Sequence, residues 1–190
     1  MMITALIVGT SFLTPERIPV HKSPKARGEL SFEYKGKKYI AGQPLLGNVT
    51  ISPDKKAYLI FSGDNQEGTR NFGLQFNFRH LPSLKAGQYQ LTTVQNHMTN
   101  NQKDGCIMAN FVTLIRGSED PAPQDPADIA SSSEKGTFTI TSVSVSGQYA
   151  TISGSFSFTG KNDLEYATDK NIAIKGAFKN LTLRYLAPPQ

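Results

Sequence analysis

At 190 residues the chain suits one domain, which at that size buries about 70% of its unfolded surface, so neither a disulfide nor a metal is needed for stability. A single cysteine, Cys106, excludes an internal disulfide and a thiolate-rich zinc site, and no apolar run reaches the length of a membrane span. The net charge of +5 is uneven, with nine basic and four acidic groups in residues 1–60, five and eight in 61–134, and six and three in 135–190.

The chain opens on an apolar run, Met1 to Leu13, that ends before Pro15. It reads as the core of a secretory signal whose beginning is lost, since no Lys or Arg precedes it; an apolar first strand is the alternative. Prolines and basic groups around His21 make residues 14–27 an extended linker, and residues 28–190 read as one all-β domain. Leu30, Phe32 and Tyr34 alternate with Ser31 and Glu33, Lys35 and Gly36 turn the chain, and Lys38 to Ala41 return it as a first hairpin. Asn48 to Ile51 is a short strand, residues 52–55 a Pro-Asp turn, and Ala57 to Phe61 an apolar run expected to be buried on both faces or near a sheet centre. Phe72, Leu74, Phe76 and Phe78 then share one face of a strand whose other face carries Asn71, Gly73, Gln75 and Asn77. Leu84 to Thr93 is a further strand, 96–105 a polar loop, and Cys106 to Ile115 a central strand.

Residues 117–134 hold three prolines, five acidic groups and three consecutive serines, which predicts a mobile surface loop within one sheet system. After it comes the clearest hairpin, Gly136 to Gly160, with Ser146 and Gly147 at its turn and Ile152, Gly154, Phe156 and Phe158 on one face of its second arm. On its first arm Phe138 and Ile140 have one parity, Val143 and Val145 the other, which predicts a bulge near Thr141 or Ser142. The last strand repeats this: Ile172, Ile174 and Phe178 precede Leu181, Leu183 and Tyr185, so a second bulge is expected near Lys179 and Asn180. No long run has helical spacing. The chain therefore predicts an antiparallel β-sandwich or flattened β-barrel of about 8–11 strands, with little helix.

Signs of catalysis are thin. There is no Gly-x-Ser-x-Gly turn for a serine nucleophile and no glycine-rich phosphate loop. A thiol nucleophile would be Cys106 with His80 or His97, but Cys106 heads an apolar strand, where a small buried hydrophobe is the commoner role. His21, His80 and His97 lack zinc-ligand spacing. Two acidic groups, Asp64 with Asn65 and Glu67, and Asp163 with Glu165 and Asp169, offer oxygen ligands of the kind calcium takes, but neither has the helix-loop-helix ligand spacing and solvated hairpin loops are the commoner explanation. Tyr34, Lys35, Lys37, Lys38 and Tyr39 interleave aromatic and basic groups as single-strand nucleic-acid binders do, and also as an ordinary exposed hairpin does. No catalytic, metal-binding or ligand-binding residue and no cofactor is assigned on this basis, and no specific nucleic-acid binding is expected.

The segment 32–41 (FEYKGKKYIA), the strand 152–158 (ISGSFSF) and the segment 172–181 (IAIKGAFKNL) together resemble an uncharacterised group of small secreted β-rich lipoproteins of the Bacteroidota cell envelope. The resemblance spans residues 28–186 in outline. It implies a β-rich fold and a secreted, periplasmic or cell-surface location, and it carries over no catalytic residue. Unlike that group, this chain has no lipid-accepting cysteine near its first residue. The function expected is a non-enzymatic binding protein that meets a ligand or envelope partner through its loops. The alternatives are a barrel carrying a small apolar ligand and an enzyme with a site assembled from scattered residues.

Overall fold

The structure, a computed structural model, describes residues 28–42, 45–99, 106–115 and 125–187. The apolar start, the linker at 14–27 and residues 117–124 of the proline-rich stretch lie outside the described residues. In chain order the described elements are β1 (Glu29–Tyr34), β2 (Lys37–Ile40), β3 (Leu46–Ile51), β4 (Ala57–Asp64), β5 (Arg70–Phe78), β6 (Gly87–Leu91), α1 (Val94–Thr99), β7 (Cys106–Ile115), β8 (Ile129–Ser146), β9 (Tyr149–Asn162) and β10 (Asn171–Leu186). All ten strands belong to one sheet, which closes through the ring β3-β4-β5-β7-β8-β9-β10 and back to β3. The expected all-β fold with little helix is what the chain adopts.

The two longest strands explain the closure. One edge of β8 is taken by β9, while the other is shared end to end by β7, against residues 129–132, and β6, against residues 136–140. Strand β10 does the same, with β9 on one edge and first β1, then β3, on the other. The sheet is mixed where an antiparallel one was expected. β1 runs antiparallel to β10, β2 reverses, and the chain continues into β3 without a hairpin, so β3 meets β10 in parallel at Arg184 to Leu186. β6 and β7 both oppose β8 and are therefore parallel to each other.

Local chemistry supports each turn. Lys35 and Gly36 both adopt left-handed conformations, φ 50° and 73°, matching the strand twist of a two-residue hairpin. Both expected bulges are present: the β8–β9 register shifts between Ile140 and Ser142, and the β10–β9 register between Phe178 and Leu181, with Asn180 at φ 52°. Leu181 and Leu183 accordingly return to the core. At the hairpin tip Val143 packs against the core while Val145 is exposed.

Three further expectations are corrected. The run Ala57 to Phe61 lies within the sheet, between β3 and β5, but buries one face only: Ala57, Leu59 and Phe61 point inward and Tyr58 is exposed. Val94–Thr99 is a helical turn where the polar composition suggested the start of a loop; the Thr93 hydroxyl accepts the Asn96 N–H at 3.1 Å, a local cap. Residues 129–134 belong to β8 and not to a surface loop. The inward positions there are Ile129, Ser131 and Ser133, and Ser133 Oγ donates to the Thr92 carbonyl at 2.8 Å and accepts from Ala109 N at 3.0 Å. Buried serines satisfied by backbone leave no hydrophobic alternation to read.

Aromatic side chains fill the interior. Phe76 meets Phe138 at 4.0 Å and Phe156 at 5.7 Å, and Phe178 lies 5.7 Å from Phe138 and 5.6 Å from Phe61. Inward-facing Gly176 makes room for the Phe156 ring, which a Cβ would strike. The outward positions of β9 are Ser153, Ser155, Ser157 and Thr159, so along this strand the alternation is polar outward and apolar inward.

Candidate functional site

The residues that sequence chemistry singled out do not converge. His80 is exposed beyond the end of β5, His97 is half-buried on α1, and the backbone of Cys106 pairs with Gln90 at the head of β7. Burial, with Arg79 nearby, pushes the His97 imidazole below its ordinary pKa, favouring the neutral ring. Among the described residues no group of three or more His, Cys, Asp or Glu is placed to hold a metal. The acidic loops are built for turns. Asn65 accepts the N–H groups of Thr69 and Arg70 at 2.8 and 3.0 Å, closing the β4–β5 connection, and the Lys170 ammonium donates to the carbonyls of Leu164 and Glu165 at 2.9 and 2.8 Å. Asp169 is held by Lys35 and by the Tyr34 hydroxyl, which donates at 2.6 Å.

That pairing also changes the reading of the basic hairpin. Tyr34 is buried, its hydroxyl committed to Asp169, and burial with the Asp169 carboxylate holds its pKa well above the ordinary tyrosine value. The Tyr39 ring stacks on Phe32 at 5.1 Å and 9°, and the Lys37 ammonium sits 5.2 Å from its centroid. Neither tyrosine presents a free face to a base, the contact on which sequence-tolerant single-strand binding depends.

A second polar cluster gathers at one end of the barrel around Asp125 and Asp128, which lie in the stretch read from sequence as a loop. Arg70 binds Asp128 at 3.0 Å and Asp125, Tyr166 Oη donates to Asp128 at 3.3 Å, and Asn162 joins β8 to β9 by accepting from Ala130 N and donating to Asp128 O. Asp128 is 2% exposed. A buried carboxylate filled by a guanidinium and a phenol is a structural joint.

The outer face of β1, β10 and β9 is different in kind. Register places Ser31, Ala177 and Ser155 in one cross-strand row and Glu33, Lys175 and Ser157 in the next, with Lys38 of β2 directly opposite Glu33 and Ala173 opposite Thr159. Small side chains set between long ones leave two shallow, open depressions. One, of about 400 Å³, is lined by Ser31, Glu33, Lys38, Ser155, Lys175 and Ala177 over a floor of Phe32, Phe156 and Gly176. The other, of about 320 Å³, is lined by Glu33, Lys35, Ser157, Thr159, Ala173 and Lys175 over a floor of Phe158 and Ile174. Glu33 and Lys175 belong to both and form an ion pair of 3.1 Å between them. The phenylalanines of this region, Phe32, Phe156 and Phe158, point inward and are at most 4% exposed. What the groove offers is hydroxyl groups, ammonium groups and a single carboxylate set around a largely apolar floor without an exposed aromatic ring.

Sequence reading missed this groove because each strand contributes only its solvent-facing residues, which look like an ordinary polar face. The available signal was Lys175, set between Ala173 and Ala177 on the outward parity of its strand. Compared with protein-family models, curated proteins and solved structures, the chain matches none.

Proposed function

We propose that the protein is a non-enzymatic binding protein of the bacterial cell envelope, and that its ligand, an extended hydroxyl-bearing chain, lies in the groove across β1, β10 and β9. The observation that carries this reading is the pair of depressions joined at Glu33 and Lys175, which gives a trough with hydroxyl, ammonium and carboxylate groups along its length over a largely apolar floor. The resemblance to envelope lipoproteins supports the location. The lining supports binding in preference to hydrolysis, since glycosidic cleavage works through two facing carboxyl groups and Glu33 is the one carboxylate in the lining. The ring-filled barrel interior argues against the small apolar ligand as cargo.

The test is affinity electrophoresis through gels containing a neutral polysaccharide (dextran) or an acidic one (polygalacturonate), with the native protein and the Ala177→Trp variant. Ala177 faces outward, so the indole occupies the trough without entering the core. Retardation of the native protein in at least one gel, lost in the variant, is the expected result. Equal mobility of the two proteins in both gels contradicts the proposal.

A further inference from the structure

The ion pair in the groove identifies the charge of the ligand, an inference that rests on the groove being the binding site. Lys175 and Glu33 are cross-strand partners, their side chains 64% and 38% exposed, and Lys38 faces Glu33 from the other side. One carboxylate is thus set between two ammonium groups in the middle of an otherwise neutral trough that carries the Ser31, Ser155 and Ser157 hydroxyls. Lys35, at the end of the trough, is already neutralised by Asp169. Lys38 and Lys175 against Glu33 leave the centre with one unit of positive charge.

A neutral sugar chain gains much of its affinity by laying the apolar face of its rings on aromatic side chains, and here every nearby phenylalanine is turned into the core. With no ring face exposed for stacking, the directional contacts at this site come from hydroxyl groups and charge. We propose that the groove binds an anionic saccharide, a chain bearing carboxylates of the uronate type, and that Glu33 is an internal stand-in for the ligand's carboxylate. On binding, a ligand carboxylate meets Lys38 and Lys175 while the Ser31, Ser155 and Ser157 hydroxyls take the sugar hydroxyls. An exposed ion pair is weak enough to be exchanged for another, which is what a stand-in requires.

The experiment is a calorimetric titration of native, Glu33→Gln and Lys175→Met proteins with oligogalacturonate, neutral malto-oligosaccharide of equal length, and single-stranded DNA, at low and at physiological salt. The native protein is expected to bind oligogalacturonate at least tenfold more tightly than the neutral oligomer. Glu33→Gln is expected to raise that affinity about tenfold and Lys175→Met to lower it about tenfold, both effects shrinking as salt rises. Neither substitution alters a buried group, so circular dichroism should be unchanged. If both saccharides bind equally and neither substitution matters, the groove stands as a saccharide site and the charge assignment falls. If no saccharide binds at all, the groove reading itself falls. Lower affinity in Glu33→Gln, or DNA bound more tightly than oligogalacturonate, also overturns the inference.

Discussion

Gly154 has no room for a side chain: a Cβ there would strike the carbonyl oxygen of Thr139 on β8 and the ring of Phe178 on β10. Because the first obstacle is backbone, the strand cannot yield as a flexible side chain would, and Gly154→Ala is expected to cost about 2–3 kcal/mol in urea unfolding. A cost below about 0.5 kcal/mol would mean that β8 and β9 pack less closely at this point. Phe138 has four aromatic neighbours and no exposure, so Phe138→Ala is expected to cost about 3–5 kcal/mol by the same measurement. Residues of this kind were legible in the sequence. Phe76 and Phe156 fall on the buried parity of their strands and do meet, 5.7 Å apart. Ser131, Ser133 and Asp128 were not legible, because they are buried by virtue of specific partners and no pattern of hydrophobicity marks a satisfied polar group.

Elements are joined by polar ties whose partners lie far apart in the chain. Tyr34 and Lys35, where β1 turns into β2, reach Asp169 in the connection before β10, and the Lys35 ammonium first, then the Tyr34 hydroxyl, holds the Asp169 carboxyl below its ordinary value of 3.8. A depressed folded-state pKa contributes stability that is complete above the unfolded value and lost as the pH falls through the folded one. The native protein is therefore expected to exceed Asp169→Asn in urea stability at pH 6, with the difference shrinking below about pH 4. An unchanged difference at pH 2 would contradict the tie. At the other cluster, Asp128→Ala leaves the largely buried Arg70 guanidinium without its Asp128 partner and is expected to cost about 3 kcal/mol. Both bulges could be read from parity alone, since a one-residue slip moves every later side chain to the other face. The parallel pairings could not, because they depend on which neighbour a long strand acquires after another ends.

At the scale of the whole molecule, the ring is closed by β10, whose partners include β1 from the opposite end of the described chain. Pairing of such sequence separation slows folding, and a refolding time in the range of milliseconds to seconds is expected by stopped-flow fluorescence of the tyrosines. The pairing of β10 with β1 and β9 creates the groove. Glu33 and Lys175 are unremarkable polar residues until the barrel sets their strands side by side, which is why the alternation in each strand was plain and the site formed between them was not. The most direct measurement is a titration of isotope-labelled protein with oligogalacturonate, followed through the backbone amide resonances. The expected result is a saturable set of shifts confined to Ser31, Glu33, Ser155, Ser157, Lys175, Ala177 and their strand neighbours. Shifts centred instead on Arg70, Asp128 and Tyr166, or on α1, or no shifts at millimolar ligand, would contradict a binding role for this face.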